Sequence, residues 1–269
     1  MAVEGYFTDA SMLRRVVGEK VLALAGPRTL LLQAAHPVAF AGFFAHTGAL
    51  DEPYERLDRT ARVMNTIAFG TRADADRATR RVRAMHRRVR GVLTEPVGPY
   101  PAGTPYAADD PALLLWILAA IADSAMVVYP RYVRALPPAE REALWQDYKQ
   151  VGRLFGLANG DMPGTADDFD AYMRDMLEGD ALQLTAEARD LGIQIVMHPP
   201  VPLRFRPLLE LVNQITVGLL PPDIRRQYGL SWDPARALAL HGGAEYVKRV
   251  LVPLLPARVR LVGPARAAA

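Results

Sequence analysis

From residue 11 onward the apolar positions recur at helical rather than strand spacing, and long Ala-, Leu- and Arg-rich segments favour helix. Ser11 to Ala25 predicts a first helix, ended by Gly26, with Pro27 in the first turn of the next. RTLLLQAAHPVAFAGFFAH predicts a buried helix that Pro37 bends or interrupts, because proline removes an amide donor and crowds the preceding turn. Asp51 is a natural N-cap and Pro53 a first-turn residue for a helix through Arg56, Thr60 and Ile67 to about Gly70. Asp74 to Val89 predicts another, with Val82, Met85 and Val89 turned inward and His86 beside them. Residues 91–111 are rich in Pro and Gly and predict a long connecting loop, a length that is uncommon unless the loop covers or shapes something.

The segment PALLLWILAAIADSAMVVY, capped by Asp109 or Asp110, is apolar almost all round and predicts a central core helix. Asp123 and Ser124 are its polar exceptions. Further helices are predicted at PPAEREALWQDYKQVGRLFGL, at TADDFDAYMRDMLEG with Asp167 or Asp168 at its start, at LTAEARDLGIQIVMHPPVP, and at PLLELVNQITVGLLP. Two or three shorter helices close the chain. With no internal repeat and no low-complexity linker, the pattern predicts one large all-α domain over 1–269.

Composition narrows the function classes. The 32 basic residues nearly balance 29 acidic ones, so the chain carries no broad positive field and nucleic acid is not an expected partner. The absence of cysteine excludes disulfides, thiolate catalysis and cysteine-held metal or iron–sulfur sites. The opening MAVEGYFTDASMLRRVV lacks the basic start and apolar core of a secretory signal, and a cytoplasmic location is expected. Thr29 to Leu50 holds no charged residue and has the length to cross a bilayer. Its Gln33, His36, Pro37 and His46 favour a buried helix instead, although the apolar excess allows loose membrane contact.

No phosphate-binding glycine loop, HExxH or GxSxG motif is present. His36 and His46, ten residues apart, stand about 80° out of register on one helix and do not pair naturally on a metal. His86 is the best single ligand: imidazole suits iron, and haem iron can be held by one proximal side chain. The arginines around it, including Arg83, Arg87 and Arg88, read as a solvated face or as partly recruited to an anionic group. Arg56, Arg59 and Thr60 lie at i, i+3 and i+4 on a face that continues through Val63, Met64 and Ile67. Arginine at the head of an apolar stripe requires a partner, either a carboxylate in a structural salt bridge or a bound ligand.

LLLQAAHPVAFAGFFAHTG, RLDRTARVMNTIAFG, VRAMHRRVRGV, YAADDPALLLWILAAIADS and LLPPDIRRQYGLSW occur in that order between about residues 25 and 235. Together they resemble the catalytic domain of MpaB-type oxygenases and latex-clearing proteins (rubber oxygenases). The resemblance implies a helical fold around a haem b pocket and an oxygenase acting with dioxygen on a hydrophobic small molecule. It implies His86 as the proximal iron ligand, Arg56 and Thr60 on the distal side, and His36 of the AHP motif near the pocket. Arg59 stands where the latex-clearing branch can carry an iron-ligating lysine; guanidinium has no lone pair to give, so Arg59 is expected to bind a propionate or orient dioxygen. Leu118 stands where many relatives carry a histidine. These two departures keep open a non-oxygenase haem protein (a dehydratase, peroxidase-like enzyme or sensor). They also keep open a cofactor-free helical domain that binds an apolar ligand or a protein.

Overall fold

A computed structural model describes residues 5–46 and 53–267, without the side chains of 43–46, 53–57, 266 and 267. The chain is predominantly helical, as the periodicity predicts. Its first helix, α1 (Met12–Val17), is shorter than expected: it stops at Gly18, and a 3-10 turn over Lys20–Leu24 runs directly into α2 (Ala25–Ala34). Gly26 therefore does not end a helix; it sits in the first turn of α2. The break falls earlier because Glu19 is claimed by a distant partner. Its backbone bridges Leu261, and its buried carboxylate accepts both forks of the Arg260 guanidinium.

Pro37 separates two helices rather than bending one. Helix α2 ends at Ala34, and α3 (Pro37–His46) begins with the proline in its first position, where the missing amide donor costs nothing. Helix α4 (Pro53–Phe69) follows; the expected cap at Asp51 lies outside the described residues. Helix α5 (Arg72–His86) leads into a small antiparallel hairpin, β1 (Arg90–Val92) with β2 (Pro105–Ala107), inside the stretch expected to be an irregular loop.

The centre of the molecule is α6 (Pro111–Tyr132). The Asp110 carboxylate caps it by accepting from the amides of Ala112 and Leu113, and Pro111 supplies the first position. Helix α6 packs on α2, on α7 (Pro138–Phe155), on α3 and on the later α12 (Pro234–Tyr246). Trp116, Trp145, Leu31 and Leu32 are wholly buried in the resulting core, each burial contributing roughly 1.5–3 kcal/mol. Helix α8 (Ala166–Glu178) stacks Phe169 on Trp145 at 4.3 Å, and a Thr165–Asp168 capping box starts it. Helices α9 (Ala186–Met197), α10 (Arg206–Leu219) and α11 (Pro222–Gln227) complete the far side.

The two polar residues of α6 bind the core together. Arg28 on α2 is buried, donates to the Ser124 hydroxyl and to the Leu219 carbonyl at 2.8 Å each, and ion-pairs with Asp123 at 2.6 Å. Arg28 thus ties Asp123 and Ser124 of α6 to α2 and to the end of α10.

Candidate functional site

Helices α4 and α5 are joined by Gly70 and Thr71 and share a groove between Thr66 and Arg81. Thr71 starts α5: its hydroxyl accepts from the Asp74 amide at 3.1 Å and donates to the Asp74 carboxylate at 2.7 Å. Along α5, Ala75 and Thr79 are buried and Val82 and His86 half-buried, a spacing of 4, 3 and 4 that keeps one face of a helix inward. His86 is the last helical residue, and its Nδ1 is fully buried.

The inward stripe is thus not the expected Val82–Met85–Val89. Met85 is 54% exposed, because a stripe through Ala75, Thr79 and His86 leaves the neighbouring position about 100° away, toward solvent. The helix also ends at His86, short of Val89. Met85 and Val89 line an open outer groove with Arg81, Ala84 and Arg88, so arginines rim the segment that carries the imidazole.

On α4 the expected face becomes a gradient. Ile67 is buried, Val63 and Met64 are half-buried, and Arg59 and Thr60 are exposed. The Arg56 side chain lies outside the described residues. Arg62 is exposed and ion-pairs with Asp58 at 2.9 Å within its own helix.

His36 occupies a different position. It is buried between Tyr100 and Trp116, with ring centroids 5.6 and 6.4 Å away. Its Nδ1 accepts from the Ala39 amide at 3.4 Å, so the imidazole caps α3 as a serine or asparagine would. Burial pushes its pKa down to about 4, against smaller upward pulls from its own backbone hydrogen bond and the Asp110 charge. At neutral pH the ring is uncharged, with its proton on Nε2.

Helix α3 links the two histidines. A Cβ on Gly42 would stand 2.8 Å from Val89 Cγ1 and 3.6 Å from the Tyr106 ring, so only glycine lets α3 lie this close to the segment just after His86. Sequence reasoning missed this contact, although a lone glycine in an apolar helix is a signal of close approach. Leu118 is buried toward α7, where its Cδ2 would meet a Cβ on Gly152 at 2.9 Å. His198 ends α9 and His241 lies on α12, both exposed.

Among the described residues no three His, Asp or Glu side chains gather as a metal cluster. The donor set is one inward imidazole on α5, exposed hydrogen-bond donors at Arg59 and Thr60, and arginines around the helix end. An imidazole and arginines are the donor types that a prosthetic iron with acidic substituents takes.

Compared with known proteins, residues 14–249 match the family described as "ER-bound oxygenase mpaB/B'/Rubber oxygenase, catalytic domain". An uncharacterised protein of Mycobacterium bovis and one of Mycobacterium tuberculosis are each 29% identical over 187 residues, covering 68% of this chain and 69% of theirs. No solved structure matches the chain. The expected cytoplasmic location is corrected by two findings: the family is described as ER-bound, and α6 is a 22-residue helix long and apolar enough to cross a membrane. A missing cysteine and an unremarkable first segment are compatible with many compartments and specify none. Within this fold, 61% of the apolar window of α6 is buried against other elements.

Proposed function

The chain belongs to the ER-bound oxygenase mpaB/B'/rubber oxygenase catalytic-domain family, and from that premise we propose that it is a haem b-dependent oxygenase acting on a hydrophobic small molecule. The family as a whole supports oxidoreductase chemistry of the oxygenase type; the haem, the substrate class and the residue roles are the proposal. We read the whole chain as the single helical domain that performs it.

The observation that carries the reading is His86, an imidazole at the inner end of the α5 stripe with a buried Nδ1. It would supply the one side-chain donor that haem iron needs. When bound, haem supplies the redox chemistry toward dioxygen. The Arg59 guanidinium offers only donors, so with Arg56 it would pair an acidic substituent or orient an oxygen atom. The Thr60 hydroxyl would add a donor on the same helix face. Oriented donors of this kind act where negative charge develops. His36 would act indirectly: its Nδ1 is engaged at the start of α3, and α3 in turn leans on Val89 beside His86.

The test is dioxygen uptake by haem-loaded protein supplied with a long isoprenoid hydrocarbon, with products analysed for chain cleavage. Uptake and cleavage that vanish in His86→Ala are expected. A protein that holds stoichiometric haem yet consumes no dioxygen with any apolar substrate would be a haem protein of another kind. Arg59→Ala is expected to lower turnover by about 100-fold, the scale of losing one oriented donor, and an unchanged rate would remove Arg59 from the chemistry.

A further inference from the structure

The start of α10 exposes leucines that no element among the described residues covers. Leu208 and Leu211, one turn apart, are 59% and 57% exposed, while Asn213, Thr216 and Val217 on the opposite face are buried. The preceding 3-10 turn, Leu203–Phe205, adds Leu203 at 73% and Phe205 at 45%. Helix α12 packs beside α10, with Leu240 against Gly218, and presents Leu238 at 73% exposure. Four large apolar side chains within nine residues are more than scattered surface hydrophobics, and a patch of this kind marks an interaction site.

Its charge selects the occupant. Arg204 and Arg206 alternate with the apolar residues, and Arg204 lies over the Phe205 ring at 4.8 Å. Among the described residues neither arginine is ion-paired. Further along, Arg226, Arg236, Lys248, Arg249 and Arg260 are each ion-paired, whereas within 203–211 these two arginines stand against one acidic residue, Glu210. A second copy docked through the same face would set these cations against themselves. An anionic lipid surface complements them: leucines and phenylalanine enter the acyl boundary while arginines reach the headgroups.

We propose that the 203–211 segment, flanked by α12, is a surface that docks the folded protein on anionic bilayers without crossing them. It is distinct from the buried α6. The inference stands independently of the haem reading, because it uses neither α4 nor α5.

The test is sedimentation of the full chain with vesicles of phosphatidylcholine alone or mixed with one quarter phosphatidylglycerol. The expected result is retention on the mixed vesicles, loss of most of it in 0.5 M salt, and a tenfold or greater loss in Leu208→Glu/Leu211→Glu. Both positions are exposed, so far-ultraviolet dichroism and thermal unfolding of the variant should match the parent. Binding that ignores lipid charge, binding unchanged by the substitutions, or no binding overturns the proposal. So does a parent that is dimeric in solution and becomes monomeric in the variant, because the face would then join two copies.

Discussion

At the residue scale, His36 is the side chain whose chemistry is most altered by the fold. Its folded pKa of about 4 lies below the unfolded value of 6.5, so the folded state binds fewer protons than the unfolded chain between those limits. The contribution is complete above pH 6.5 and is lost as pH falls toward 4, amounting to about 3 kcal/mol in all. Urea unfolding at pH 7 and pH 4.5 should show this loss in the parent and much less of it in His36→Asn, which keeps a capping acceptor but does not titrate. An equal loss in both would assign the acid sensitivity elsewhere. Arg28 makes the complementary case. Arg28→Ala strands Asp123 in a largely buried site and is expected to cost about 3 kcal/mol by denaturant midpoint. The sequence marks Asp123 and Ser124 as odd in an apolar helix, but not their partner, which lies on another element.

At the element scale, what the sequence could show depended on how local the cause was. The core helix α6 was legible with its cap, because Asp110, Pro111 and the apolar run are adjacent in the chain. The inward direction of His86 was legible too, since periodicity needs only its own helix. Met85 was misplaced because several neighbouring apolar positions satisfy a helical repeat, and only the packing of α5 on α4 and α7 chooses among them. The contact of α3 with Val89 is tertiary and appears in the sequence only as a glycine. Gly42→Val should therefore overpack this crossing, costing about 1–3 kcal/mol and shifting the segment after His86. Thermal unfolding tests the first effect. Gly42→Ala should lie between parent and valine; a valine variant as stable as the parent would mean that α3 yields without cost.

At the scale of the whole molecule, the chain closes on itself through Glu19 and Arg260, which are 241 residues apart. No local pattern announces that pair, and it explains why the predicted first helix breaks at Gly18. Arg260→Ala leaves the Glu19 carboxylate buried and unpaired and should cost about 3 kcal/mol or more. Limited proteolysis should then cut the last turns of the chain faster than in the parent; equal cutting would make the pair incidental. Molecule-wide features also separate the two apolar systems. Helix α6 is apolar because it is central, whereas the leucines at the start of α10 are apolar and uncovered. Composition treats both alike, and only the packing distinguishes a core helix from an exposed apolar surface.

If this helical chain holds one haem through His86, as proposed, its absorption spectrum reports it. Protein purified with haem available should show a Soret band corresponding to one haem per chain. His86→Ala should lose the band while keeping the helical dichroism of the parent. A parent that folds but takes up no haem, or a His86→Ala variant with an unchanged band, would overturn the haem reading.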